Sequence, residues 1–258
     1  MELIINDLPE HGVVIHGPES PAFRERLLTL MARSAVPLVI DDDALGYSFI
    51  VENQSPQDII KLSLTFGPYP RESRTPFSQW GGISNNLGLI TGSSIRIPPG
   101  GQCPWNFLYG YGFLARKIDS PTGGGRRREN RDHVKKRLAA GDKWSVDIDY
   151  VIFGDGVFVG PDNHMQFDQI EASNRASRDI IAELNRKLDA GEDFFAYVGQ
   201  CASITGEQIY EPSPELLQTW GKKSAAGFVA GFWQLCGKKR TVEWIRERAK
   251  SQIPLVRR

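Results

Sequence analysis

Apolar and polar side chains alternate most regularly from Trp144 to Asp162, WSVDIDYVIFGDGVFVGPD. Trp144, Val146, Ile148, Tyr150 and Ile152 recur at a period of two, with Ser145, Asp147 and Asp149 between them. That period puts the two sets on opposite faces of a strand. Gly154-Asp155-Gly156 tolerates the positive φ of a tight turn, and Val157-Phe158-Val159 resumes the strand pattern. A hairpin is therefore expected here, ended by Gly160-Pro161.

The same alternation recurs earlier. Short strands are expected at Leu3–Ile5 and Val13–Ile15. Two longer ones follow, at Tyr47–Glu52 and Ile60–Phe66, joined by the turn cluster Asn53-Gln54-Ser55-Pro56. That linkage predicts an antiparallel pair with one buried face. A further strand, Ser94–Ile97, closes on Pro98-Pro99-Gly100-Gly101, and an apolar stretch runs from Trp105 to Phe113.

After Pro161 the apolar period lengthens to about 3.6. Phe167, Ile170, Ala176, Ile180, Ile181, Leu184 and Leu188 predict a helix over 163–190, with Gly191 at its C′ position. A second helix is expected within Glu192–Gln200, and Ser213-Pro214 starts another. Thr241 is expected to cap a last helix through Lys250. Near the N-terminus, Ser20-Pro21 predicts a capped helix carrying Phe23, Leu27, Leu30 and Met31 on one face. The switch of period predicts an α+β protein: an antiparallel β-sandwich over 44–162, then a helical region over 163–258. Residues 1–43 form an N-terminal segment with one helix.

Composition adds little. Among 258 residues, 31 basic and 31 acidic side chains cancel, so the net charge favours no nucleic acid, membrane or acidic substrate. The distribution is uneven. The first sixty residues carry ten acidic and three basic side chains, while Lys238–Arg258 carries eight basic and two acidic. The sharpest concentration lies in 119–141, DSPTGGGRRRENRDHVKKRLAAG, which interrupts the β pattern. Arg126, Arg127, Arg128, Arg131, Lys135, Lys136 and Arg137 make it a candidate electrostatic contact for a partner. Three widely spaced cysteines form neither a disulfide framework nor a zinc pattern. Neither a signal-peptide pattern nor an apolar run long enough to span a bilayer is visible, so a cytoplasmic setting is expected.

The β segments Tyr47–Ser55, Ile97–Gly100 and Val146–Gly156 resemble uncharacterised bacterial proteins with a small immunoglobulin-like β-sandwich. In those proteins the last hairpin ends in a phrase like FxDGxFVGPD. The resemblance spans roughly 44–162 and implies a fold, with no activity or catalytic residues to carry over. The basic loop is a departure from it.

No sequence motif names a reaction. Asp41-Asp42-Asp43 lacks the ligand spacing of a hard-cation loop. Asp147 and Asp149 share a strand face and are expected at the solvent surface. Asp155, Asp162 and Asn163 fit turn chemistry and helix capping. His11, His16, His133 and His164 have no metal-helix spacing, and Cys103 has no histidine beside it in sequence. Gly110 and Gly112, between Tyr109, Tyr111 and Phe113, fit strand packing or a ligand groove. No metal or cofactor is expected. The expected role is a non-enzymatic interaction or scaffold module joining a protein complex. The alternatives are a hydrolase with an unrecognised site, or a nucleic-acid-associated protein using the basic loop.

Overall fold

The structure is a computed structural model. It describes residues 2–32, 46, 48–68, 79–83, 96–106, 110–111, 143–163, 166–202, 214–250 and 254–258. The strands are β1 (Glu2–Asn6), β2 (Val13–His16), β3 (Ser48–Asn53), β4 (Ile59–Pro68), β5 (Gln79–Ile83), β6 (Gln102–Asn106), β7 (Gly110–Tyr111), β8 (Lys143–Phe153), β9 (Val157–Val159) and β10 (Val256–Arg257). The α-helices are α1 (Phe23–Ala32), α2 (Gln166–Asp189), α3 (Phe194–Ala202) and α4 (Pro214–Lys250). Contacts divide the chain into two units. One gathers the described residues up to Gly154 together with Val159–Pro161; the other gathers Asp155–Phe158 and Asp162 onward.

The first unit holds two sheets. One has the order β2-β3-β6-β7 and is antiparallel throughout. The other is organised on β8. On one edge β8 pairs antiparallel with β4, which pairs in turn with β5. On its other edge β8 pairs with β1, in parallel, from Lys143 to Asp147. The expected wholly antiparallel sandwich is thus corrected to a mixed sheet. Alternation within β8 and β4 predicts that they are strands, but the parallel partner comes from the N-terminal segment, outside the residues whose pattern suggested a sandwich.

A second correction concerns β3 and β4. They do not pair with each other but stand in different sheets. Asn53 is the reason. Fully buried, its side-chain amide donates to the carbonyls of Gln57 (2.7 Å) and Ile97 (2.7 Å). Its carbonyl accepts from the Ser55 amide (3.0 Å) and hydroxyl (2.6 Å). Its backbone N–H donates to Gly101, and its backbone carbonyl accepts from Gly100. These bonds hold 53–57 in a bend that turns the chain out of the β3 sheet. Ile59 then bridges Ile97, and β4 enters the other sheet. The Gly12 backbone comes so close that a Cβ there would lie 2.7 Å from the Ser55 nitrogen.

The turn after β8 carries Gly156 at φ 86, and the Asp155 carboxylate accepts from the Val157 amide at 3.1 Å. Gly160 is required by close approach: a Cβ would sit 2.6 Å from the Asp149 carbonyl oxygen. Asp162 then caps α2, its Oδ1 accepting from the amides of Gln166 (2.6 Å) and Phe167 (3.3 Å). Turn chemistry and capping therefore use both aspartates.

In the second unit, Ile180, Ile181 and Leu184 of α2 pack with Phe194 and Val198 of α3 and with Ala225, Ala226, Val229 and Ile245 of α4. Gly221 lets α4 approach α2 closely, since a Cβ would meet Ser173 Cα at 2.8 Å. Helix α2 ends where Gly191 adopts φ 70. The Gly191 amide donates to the Leu188 carbonyl and the Glu192 amide to the Lys187 carbonyl, a Schellman end. The expected cap at Thr241 is corrected. The α4 backbone breaks at Gly237 (φ 76, ψ 169), four residues earlier, and the Thr241 hydroxyl, buried inside the following helix, donates to the Gly237 carbonyl. Ser20-Pro21 likewise precedes rather than opens α1. Ala22 at φ 56 separates that pair from the helix, which starts at Phe23. Val256 and Arg257 run parallel to Val157 and Phe158 as β10.

Ile148 is buried. Ile148→Ala should lower stability by about 2–5 kcal/mol, the range for truncating a buried isoleucine. Asn53→Ala should cost at least as much, because it strands several buried polar groups at roughly 1–3 kcal/mol each. Denaturant melts of both variants check these values; a wild-type midpoint for Asn53→Ala would mean that the bend does not rely on its side chain.

Candidate functional site

Two groups of polar side chains converge in the first unit. The first is assembled from four elements. Strand pairing sets Glu52 of β3 beside Val14 and Gln102, and His16 of β2 beside Ile50. The period-two pleat then places His16, Glu52 and Gln102 on one face. Arg26 reaches the same carboxylate from α1. Glu52 Oε2 accepts from His16 Nε2 (2.5 Å) and Arg26 Nη2 (3.1 Å), and Oε1 accepts from Gln102 Nε2 (3.2 Å). Burial pushes the carboxyl pKa up, but the bonds from His16, Gln102 and Arg26 outweigh it and hold the group below its ordinary 4.5. The cluster is open to water: His16 and Glu52 keep 19% of their side-chain surface and Arg26 keeps 27%.

The second group lies on the sheet of β4 and β8. Their register sets Ser63 opposite Tyr150, Lys61 opposite Ile152 and Thr65 opposite Asp147. One face thus carries Lys61, Ser63, Thr65, Ser145 and Tyr150, and all five are buried. The Lys61 ammonium sits 5.5 Å from the Tyr150 ring centre. Burial draws its pKa down from 10.5 to about 8.

Asp147 and Asp149 separate. Asp147 is half-buried and accepts from Asn6 Nδ2 at 2.5 Å. Asp149 is wholly buried, which corrects its expected place at the solvent surface. The register shifts between Ser63 and Leu64, so Asp149 is an extra residue on β8. A bulge of this kind breaks the alternation, so Asp149 leaves the face that Ser145 and Asp147 share; both faces of β8 are enclosed here. Cys103 is buried in β6 with Phe49, Val51 and Trp105 of the same sheet.

The basic residues Arg126, Arg127, Arg128, Arg131, Lys135, Lys136 and Arg137 lie outside the described residues, as do Asp41-Asp42-Asp43 and Gly112. Sequence reasoning missed the Glu52 cluster. His16 and Glu52 are 36 residues apart, and only the β2–β3 register joins them. The available hint was a histidine ending an otherwise apolar strand.

The second unit offers a surface. Phe228, Phe232 and Leu235 follow the i, i+4, i+7 stripe of α4, and exposure along it ends at Leu235, 87% exposed. Trp244 packs on Phe228 (5.4 Å between ring centres) and Phe232 (5.6 Å). Lys238, Lys239 and Arg240 follow the Gly237 break, all exposed and none with an ion-pair partner among the described residues. Among the described residues, no helix is long and apolar enough to cross a membrane.

Two pH effects follow. Glu52, with its pKa depressed on folding, stabilises above the ordinary carboxylate range and loses that contribution as pH falls through the folded value. Glu52→Gln should therefore be less stable than wild type at neutral pH, with the gap closing below about pH 4. Lys61 has the opposite bearing: its ammonium costs stability below pH 8, and stability rises from there toward 10.5. Lys61→Met should melt higher than wild type at pH 7, an advantage that shrinks as pH rises through that window. Thermal melts across pH check both; a gap that ignores pH would refute the assignments. Compared with known proteins, the chain matches no family model, no curated protein and no solved structure.

Proposed function

We propose that the protein is a non-enzymatic interaction module: a sheet-built scaffold, with a helical unit that contacts an acidic protein partner. The observation that carries this reading is the end of the α4 stripe, where exposed Leu235 is followed by exposed Lys238, Lys239 and Arg240. A large apolar side chain almost wholly in water, close to cations with no ion-pair partner among the described residues, suits a partner offering an apolar contact with carboxylates around it. The basic loop residues Arg126, Arg127, Arg128, Arg131, Lys135, Lys136 and Arg137 extend the same charge preference. The immunoglobulin-like likeness enters only as a scaffold for these surfaces, in a cytoplasmic setting.

A hydrolase is the second reading, and the Glu52 cluster is the observation in its favour: a carboxylate-held histidine beside an arginine. Nucleic-acid association is the third, resting on the basic loop alone.

Pull-downs from native cells separate the readings. Wild type should retain a defined protein partner that Leu235→Glu loses at any salt concentration. Neutralising Arg126, Arg127, Arg128, Lys135 and Lys136 together should weaken capture at low salt, where screening is least. Identical partner lists for all three proteins would overturn the interaction reading. Loss of nucleic acid alone from the neutralised variant would replace it with the third.

A further inference from the structure

We propose that the edge of β9, with Asp162 and Phe167 beside it, is a recognition site for an extended, arginine-bearing segment of a protein partner, and that Val256–Arg257 holds this site in cis. All of it lies in the second unit. The site is seen occupied. Val256 and Arg257 run parallel to Val157 and Phe158. The Val256 amide donates to the Gly156 carbonyl and the Arg258 amide to the Phe158 carbonyl, both at 3.0 Å. Arg257 Nη2 lies 3.5 Å from Asp162 Oδ2, and the guanidinium carbon is 5.5 Å from the centre of the Phe167 ring. The backbone bonds set direction and spacing, while the carboxylate and the ring select the side chain.

The walls of this site do not depend on Arg257. Asp162 is fixed by the Gln166 and Phe167 amides that its carboxylate caps. The Phe167 ring is fixed by the fully buried Phe158 ring, edge to face at 5.2 Å. Groups held in place beforehand lose little freedom when a guanidinium arrives. The occupant is held far less firmly. Val256 keeps 46% of its surface in water and the Arg257 side chain 51%, against 2% for the side chain of Asp162. Strand β10 is two residues long and stands at the end of its sheet. A segment with so few bonds among the described residues opens at a small fraction of the global free energy. Opening bares N–H and C=O groups of β9, an edge that a strand from another chain completes. An arginine at the Arg257 position of that strand meets the same carboxylate and ring. The site uses neither the α4 surface nor the basic loop, so it stands or falls apart from the acidic-partner reading.

The experiment measures, by fluorescence anisotropy, binding of a labelled peptide Pro-Leu-Val-Arg-Arg, the sequence of residues 254–258, to the full chain. Arg257→Glu sets like charge against Asp162 and empties the site. The expected result is saturable binding to Arg257→Glu, at least about tenfold tighter than to wild type, whose own segment competes. A peptide with glutamine for its first arginine should bind about tenfold more weakly. Adding Phe167→Leu or Asp162→Asn should weaken the original peptide to a similar degree; the asparagine keeps a capping oxygen and removes the charge. In the wild-type chain, the Val256 and Arg258 amides should exchange hydrogen at least about a hundredfold faster than those of Val229 and Ile245. Two results would overturn the proposal: no saturable binding to an Arg257→Glu chain of wild-type spectrum, or equal binding of the glutamine peptide. So would exchange of the Val256 and Arg258 amides only through global unfolding, a result that needs no variant. Concentration-dependent dimers of wild type that Arg257→Glu abolishes would make a second copy the occupant and overturn the partner assignment.

Discussion

The fold of the first unit depends on one buried amide. Asn53 has no exposed surface, and both of its side-chain N–H groups and its carbonyl oxygen are satisfied by backbone or by Ser55. A buried amide with unmet bonds costs several kcal/mol, so this site tolerates only the conformation that meets all of them. That conformation links three segments that sequence keeps apart: the β3–β4 bend, the Ile97–Gly101 closure and the Gly12 turn, whose carbonyl accepts from Gln54. Everything downstream follows from the bend. It sends β4 to the second sheet, where β8 can take it on one edge and β1 on the other.

The bend also decides which faces are buried. Continuous hairpin pairing of β3 with β4 would have left one face of each strand to water. Placed in separate sheets, β3 is buried nearly throughout and β4 from Ile59 to Thr65, and polar side chains are enclosed with them. Lys61 is the extreme case. Its ammonium keeps a folded pKa near 8 because burial disfavours the charged form. Asp149 is enclosed as well, at a one-residue shift of register against β4. Both features sit beside local rules that were obeyed. β8 alternates as expected over Trp144–Ile148, and departs only where the extra residue enters.

What the sequence showed and what it hid therefore divide by range of interaction. Strands at Leu3–Ile5, Val13–Ile15 and Trp144–Phe153, the helix before Gly191 and the caps at Asp155 and Asp162 depend on residues within a turn of each other. A single window contains the needed physics. At Thr241 and Pro21 the local pattern points to the wrong helix boundary, because a nearby positive-φ residue, Gly237 or Ala22, sets it instead. Pairing partners need the whole chain. The parallel β1, the separation of β3 from β4 and the meeting of His16 with Glu52 are joined across long separations, and no alternation pattern encodes which strand lies beside which.

The uneven charge of the sequence resolves the same way. Part of the acidic surplus of the first sixty residues is absorbed within its own unit. Glu2 pairs with Lys143, Asp7 accepts from the Ile15 amide, Glu52 gathers three donors, and Asp58 pairs with Arg96. The basic surplus at the other end is only partly absorbed. Arg257 spans Asp162 and the Phe167 ring, and Arg246 lies 3.9 Å from Asp189. Lys238, Lys239 and Arg240 are exposed, shortly after exposed Leu235 in the chain. Acidic side chains that orient, cap and tie strands contribute to the fold whatever the protein meets. Cations without an ion-pair partner among the described residues, close to an exposed leucine, contribute little to it, since exposed charges add little stability and an apolar side chain in water adds none. The physical return on that arrangement comes only when another surface covers it.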